Sequence, residues 1–111
     1  MLKDLTEQYI EAFTNKDITK LSILFIDDFS LEDPIVKRIE GKENVIRVIQ
    51  DIFDSCNTLS FQAKNIFIDN HVSIIEFTLK LDSTVLTGID IIEWEGSKMK
   101  ELRAYLDIPK G

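Results

Sequence analysis

The run Tyr9–Ile35, "YIEAFTNKDITKLSILFIDDFSLEDPI", decides how the rest of the chain is read. Leu5, Tyr9, Ala12 and Phe13 fall at i, i+4, i+7 and i+8, the spacing of one face of a helix. "TNKD" breaks that helix. Asp17 is placed to cap a second, shorter one with Ile18, Leu21, Leu24 and Phe25 inward. "DDFSLEDP" then reads as a short extended segment that Pro34 terminates, because a proline disfavours the helical region at the residue before it. Neighbouring side chains of an extended segment face opposite ways, so Glu32 is expected to point away from wherever Asp33 points. Asp33 itself has two readings, a turn former before proline or a carboxylate needed as a base.

Working outward, "VKRIEG" reads as a polar connection ending at Gly41. From Lys42 the residues Val45, Val48, Ile49, Ile52 and Phe53 mark a third helix with an apolar stripe. At Leu59 the period changes. "LSFQAKNIFID", "VSIIEFTLKL", "VLTGIDIIEW" and "MKELRAYLDI" read as four strands, separated by "DNH", "DST" and "EGSK" turns. Three helices followed by a four-stranded antiparallel meander is an α+β pattern, with helices covering one face of a curved sheet. A curved sheet of that kind leaves an apolar pocket at its open end. The expectation is a single domain over residues 1–111.

Composition excludes several function classes. The 111 residues carry a net charge of −7, which disfavours nucleic acid and anionic membrane surfaces as partners. Cys56 is the only cysteine and His71 the only histidine, so neither a disulfide nor a usual zinc set can be assembled. No cofactor or metal is expected. Asp27-Asp28 reads as a solvated helix end, and the four glycines form no phosphate loop. "MLKDLTEQ" enters a polar helix-like pattern directly, and the apolar runs are far too short to span a bilayer. A soluble, cytoplasmic protein is therefore expected.

Two placements invite chemistry. In "LTGIDIIEW" alternation puts Leu86, Gly88, Asp90, Ile92 and Trp94 on one strand face, with Ile89 and Ile91 on the other. A carboxylate in that company is costly if ionised and unpaired. It either finds a cation such as Arg103 or is kept neutral by desolvation, able then to donate a hydrogen bond. Tyr9 lies on the inward stripe of the first helix, where its hydroxyl needs a partner if buried, although such a tyrosine is also ordinary core packing.

The run from Tyr9 to Ile35, the "GIDIIEWEG" strand and the closing "KELRAYL" together resemble the ketosteroid isomerases and the wider SnoaL-like, or NTF2-like, superfamily. The resemblance covers essentially the whole chain. It implies an NTF2-like cone, three N-terminal helices packed on a curved antiparallel sheet, forming a homodimer through that sheet. It also implies roles: Tyr9 and a protonated Asp90 as an oxyanion hole, and Asp33 as the carboxylate that shuttles a proton. The function implied is proton movement next to the carbonyl of a small apolar substrate, through an enolate. One position departs from the isomerases. Their third helix carries a tyrosine that supports the oxyanion tyrosine, and that place falls on Ile49. The same superfamily includes non-catalytic small-ligand-binding and dimeric assembly proteins, which is the alternative reading. A hydratase or epoxide hydrolase would want an Asp-Arg or His-Asp arrangement in the pocket, for which only Arg103, in the last strand, is a candidate.

Overall fold

The structure, a computed structural model, describes residues 1–107. Helix α1 (Leu2–Thr14) turns Thr6, Tyr9, Ala12 and Phe13 inward, and the short α2 (Ile18–Leu24) turns in Leu21 and Leu24. The break between them is made by Lys16, whose backbone is left-handed at φ 54°. The Lys16 ammonium donates to the carbonyls of Phe53 at 2.8 Å and Cys56 at 2.6 Å, tying the break to a later helix end. Asp17 caps α2 as expected, its side chain accepting from the Lys20 amide at 3.1 Å.

Strand β1 (Phe25–Asp33) follows at once, then β2 (Lys37–Glu40), helix α3 (Lys42–Asp54), β3 (Leu59–Asp69), β4 (Val72–Leu81), β5 (Thr84–Glu95) and β6 (Lys98–Asp107). The six strands form one sheet in the order β2-β1-β6-β5-β4-β3. β3 to β6 make the antiparallel meander, while β1 lies parallel to β6, pairing Leu31 with Leu102 and Glu32 with Arg103. α1 packs on β3, and α3 packs on β1. The α+β reading and the helix-covered sheet therefore stand.

Five expectations need correction. The helices are not all N-terminal to the sheet, since α3 follows two strands. The sheet has six strands and is mixed rather than purely antiparallel. β1 is the reason for both, because its partner is the last strand and no local pattern announces a pairing across such a distance. "VKRIEG" is not simply a connection: Lys37–Glu40 pairs antiparallel with β1, and only Ile39 of its four residues is not exposed. So short and polar a strand leaves almost no alternation to read. Phe25 starts β1 instead of ending α2, and stacks on Phe29 with ring centroids 4.0 Å apart. Asp27 and Asp28 are exposed, but at an irregular stretch of β1 rather than at a helix end. Ile108, expected in the last strand, lies outside the described residues.

The core between helices and sheet is largely aromatic. Tyr9 and Phe13 meet Phe61 at 5.9 and 5.3 Å between centroids, and Phe61 meets Phe77 at 5.0 Å. Phe77 of β4 in turn stands directly opposite Gly88 of β5. A Cβ on Gly88 would stand 2.4 Å from the Tyr105 carbonyl oxygen and 3.0 Å from the Phe77 ring. The strands approach too closely there for any side chain. Gly88→Ala is expected to cost about 2–3 kcal/mol, since the blocking atom is backbone and cannot rotate away. Urea denaturation of the variant checks this, and a midpoint equal to wild type would contradict it.

Candidate functional site

Between α1, α3 and the concave face of the sheet lies a cavity of about 180 Å³. Its walls are Leu31, Ile49, Leu79, Leu86, Leu102 and other aliphatic side chains, and Phe13, Phe61 and Phe77 line it as well. The aromatic residues therefore border the cup without filling it. Phe25 and Phe53 do not line it; Phe53 instead packs edge-on against Phe13. Three ionisable groups share this wall, Tyr9, Asp33 and Asp90. They arrive from three elements: the inward stripe of α1, the end of β1 and the inner face of β5.

Asp33 forms the turn that its sequence context announces. Its Oδ1 accepts the backbone amides of Ile35 at 2.8 Å and Val36 at 2.7 Å, closing the turn into β2. Asp33 is also one of the residues that line the cavity. Glu32 points the other way, as an extended segment requires, and pairs with Arg38 at 3.2 Å outside. Ile35, just past Pro34, is 62% exposed yet also lines the cavity, so the mouth opens at this turn.

Tyr9 and Asp90 sit deeper, each only 4% exposed. Among the described residues neither side chain makes a hydrogen bond within the protein, yet no buried polar atom is cut off from a partner. Their polar tips are therefore open to the cavity rather than sealed in the core. Burial pushes the Asp90 carboxyl up to about 8, with the nearby charge of Asp33 adding to it. Burial also raises the Tyr9 hydroxyl well above its usual 10.0, and the Asp90 charge raises it further. Near neutrality both are hydrogen-bond donors. Two neutral donors and a carboxylate at the rim of an apolar cup suit a developing oxyanion and a proton carrier.

Other candidates lie elsewhere. Arg103 bonds Glu93 and Glu101 on the opposite face of the sheet, while its neighbour Ala104 lines the cavity. Arg38 joins the same network through Glu32, Glu40 and Glu101. The carboxyl of Glu101 is held at about 2 despite the opposing cost of burial, by hydrogen bonds from Arg38, Arg103 and Ser30. His71 is exposed in a turn and Cys56 is buried. Among the described residues no three His, Cys, Asp or Glu side chains gather where they could hold a metal. Ile49 is a buried apolar residue in the cavity wall. The sequence reading did not single out the rim residues Ile35 and Val36. Their only signal is that they follow Asp-Pro.

The model of the SnoaL-like domain matches residues 6–102. The chain belongs to the SnoaL-like family. No curated protein matches it. Among solved structures, an NTF2-like protein of unknown function from Cytophaga hutchinsonii is 13% identical, with a TM-score of 0.85 over 96% of this chain and 90% of that one. An LEH-like epoxide hydrolase from M. tuberculosis is 18% identical, with a TM-score of 0.79 over 94% and 80%. A protein with a ketosteroid isomerase-like fold from Catenulispora acidiphila is 12% identical, with a TM-score of 0.81 over 91% and 83%. These likenesses establish an NTF2-like fold whose relatives include isomerase-like, epoxide hydrolase and uncharacterised proteins. Among the described residues no helix of this SnoaL-like chain is long and apolar enough to cross a membrane.

Asp90 makes stability depend on pH in a definite direction. The folded state keeps its proton to about 8, whereas an unfolded aspartate loses it near 3.8. The Asp90 contribution is therefore complete below the unfolded value and is lost as pH rises through the folded one. Asp90→Asn removes this loss. By about pH 8 the variant should gain on the order of a few kcal/mol relative to its own deficit or surplus near pH 4. Chemical denaturation of both proteins across that range measures it, and parallel stability curves would refute it.

Proposed function

We propose that this SnoaL-like protein is an isomerase of the ketosteroid isomerase type. On this reading it shifts a double bond by moving a proton next to the carbonyl of a small apolar ketone. The supporting observation is the meeting of Tyr9, Asp33 and Asp90 on one apolar cavity. Asp33 takes a proton from the carbon between the carbonyl and a β,γ double bond, leaving a dienolate. Tyr9 and protonated Asp90 donate hydrogen bonds to the enolate oxygen, in a site where little water competes. Asp33 then returns the proton to the γ carbon, and the product is the conjugated ketone.

The test is conversion of a β,γ-unsaturated ketone, followed by the ultraviolet absorbance of the conjugated product. Asp33→Asn should abolish turnover while leaving the fold intact, because the amide oxygen can still accept from Ile35 and Val36. Tyr9→Phe and Asp90→Leu, each of which removes a donor, should each lower kcat by roughly 10²–10³. Wild-type activity should fall above about pH 8, where Asp90 ionises and stops donating. Full activity in Asp33→Asn would exclude the mechanism. The second reading, binding without catalysis, draws support from Ile49, which offers Tyr9 no hydrogen bond. Saturable binding of a ketone with no turnover of any enone would favour it.

The proposed partner is a second copy of this chain across the outer sheet face. Ile89 stands directly opposite Tyr105, and Ile74 opposite both Phe67 and Ile91, so these side chains share the face away from the helices. Ile89, Tyr105 and Phe67 are exposed there. An exposed apolar row of this kind commonly marks an interface. Sedimentation should find a dimer in wild type and a monomer in Ile89→Glu. A wild-type monomer at high micromolar concentration would refute the pairing.

A further inference from the structure

We infer that the cup takes a ketone built on a single ring and does not take a fused multi-ring nucleus. This specifies the substrate class of the site proposed above and rests on that reading for its chemistry. The argument begins with volume. The cavity holds about 180 Å³, and an apolar cavity of about 150 Å³ binds a single benzene. One six-membered ring with its carbonyl and a small substituent therefore fits the space, a second fused ring crowds it, and a four-ring nucleus cannot be enclosed.

The walls offer little room to grow. On one side Phe13, Phe61 and Phe77 are locked to one another at 5.0–5.3 Å between centroids. Phe77 has little room to retreat toward the sheet, because its ring already lies 3.0 Å from where a Cβ on Gly88 would stand. Buried Ile49, Leu31 and Leu102 bound the cavity from α3, β1 and β6. The opening is the turn at Ile35, next to Asp33. A carbonyl reaching Tyr9 and Asp90 thus leaves only the stretch between them and Asp33 for the ring, and any longer substituent must leave past Ile35.

A ligand series on the wild-type protein tests this. Cyclohex-3-enone, a two-ring β,γ-enone and a four-ring steroid β,γ-enone are assayed for conversion. Saturated cyclohexanone and a saturated steroid ketone are titrated in parallel, following the backbone amide resonances of Ile35, Leu86 and Asp90. The expected result is a kcat/KM for the one-ring compound at least about tenfold above the two-ring one, and no turnover of the steroid. Only cyclohexanone should shift those amides. If the steroid is converted as well as cyclohex-3-enone, the isomerase reading holds and the size limit is overturned. If no enone is converted but cyclohexanone alone shifts the amides, the isomerase reading fails and the size limit stands. If the steroid ketone shifts them as well, or cyclohexanone shifts none, the size limit is overturned.

Discussion

The docking of α1 on β3 is the contact on which the remaining architecture depends. The Thr14 hydroxyl donates to the Phe61 carbonyl at 2.8 Å and accepts the Phe61 amide at 2.9 Å. One side chain thereby satisfies both backbone groups of a residue on the outermost strand, where ladder partners are lacking. The same contact brings Tyr9 and Phe13 onto the Phe61 ring, so helix, strand and aromatic wall are fixed together. Without it the sheet would have no lid over this side, and Tyr9 would have no cavity to face.

Asp33 and Asp90 illustrate how one apolar cup can hold two carboxyl groups at different depths. Two negative charges in a space of this size repel, and desolvation falls hardest on the deeper one. Asp90, buried on β5, is the group that keeps its proton. Asp33, at the mouth, has two backbone amides on one oxygen and is half-buried. The division follows from position alone, rim against interior. The cations of the sheet take no part in it, because Arg38 and Arg103 are occupied on the other face.

Much of this arrangement was legible in the sequence, for reasons that can be stated. Helical spacing set Tyr9 inward, and strand alternation set Asp90 among Leu86, Ile92 and Trp94, all of which are buried. Both patterns are local and strong. The convergence with Asp33 was legible only through family resemblance, since nothing local relates the ends of α1, β1 and β5. The parallel β1–β6 pairing and the short β2 were not legible at all. Parallel register leaves no turn between its partners, and four residues with one inward side chain give no period. The cavity volume was equally out of reach, because it depends on how the phenylalanine rings tilt rather than on how many there are.

The parallel pairing also orders events in time. Ser30 and its partner Glu101 are 71 residues apart, and β1 has only the four-residue β2 beside it until β6 exists. During synthesis the helices and β1 emerge first, so Phe29 and Leu31 must wait, with α3 as their main shelter. Pairings of such long sequence separation form slowly, and an unpaired strand edge in the meantime invites association with other chains. The cup is closed by the last strand to arrive. A nascent chain lacking β6 would carry Tyr9, Asp33 and Asp90 complete, and still have no enclosed space for them to serve.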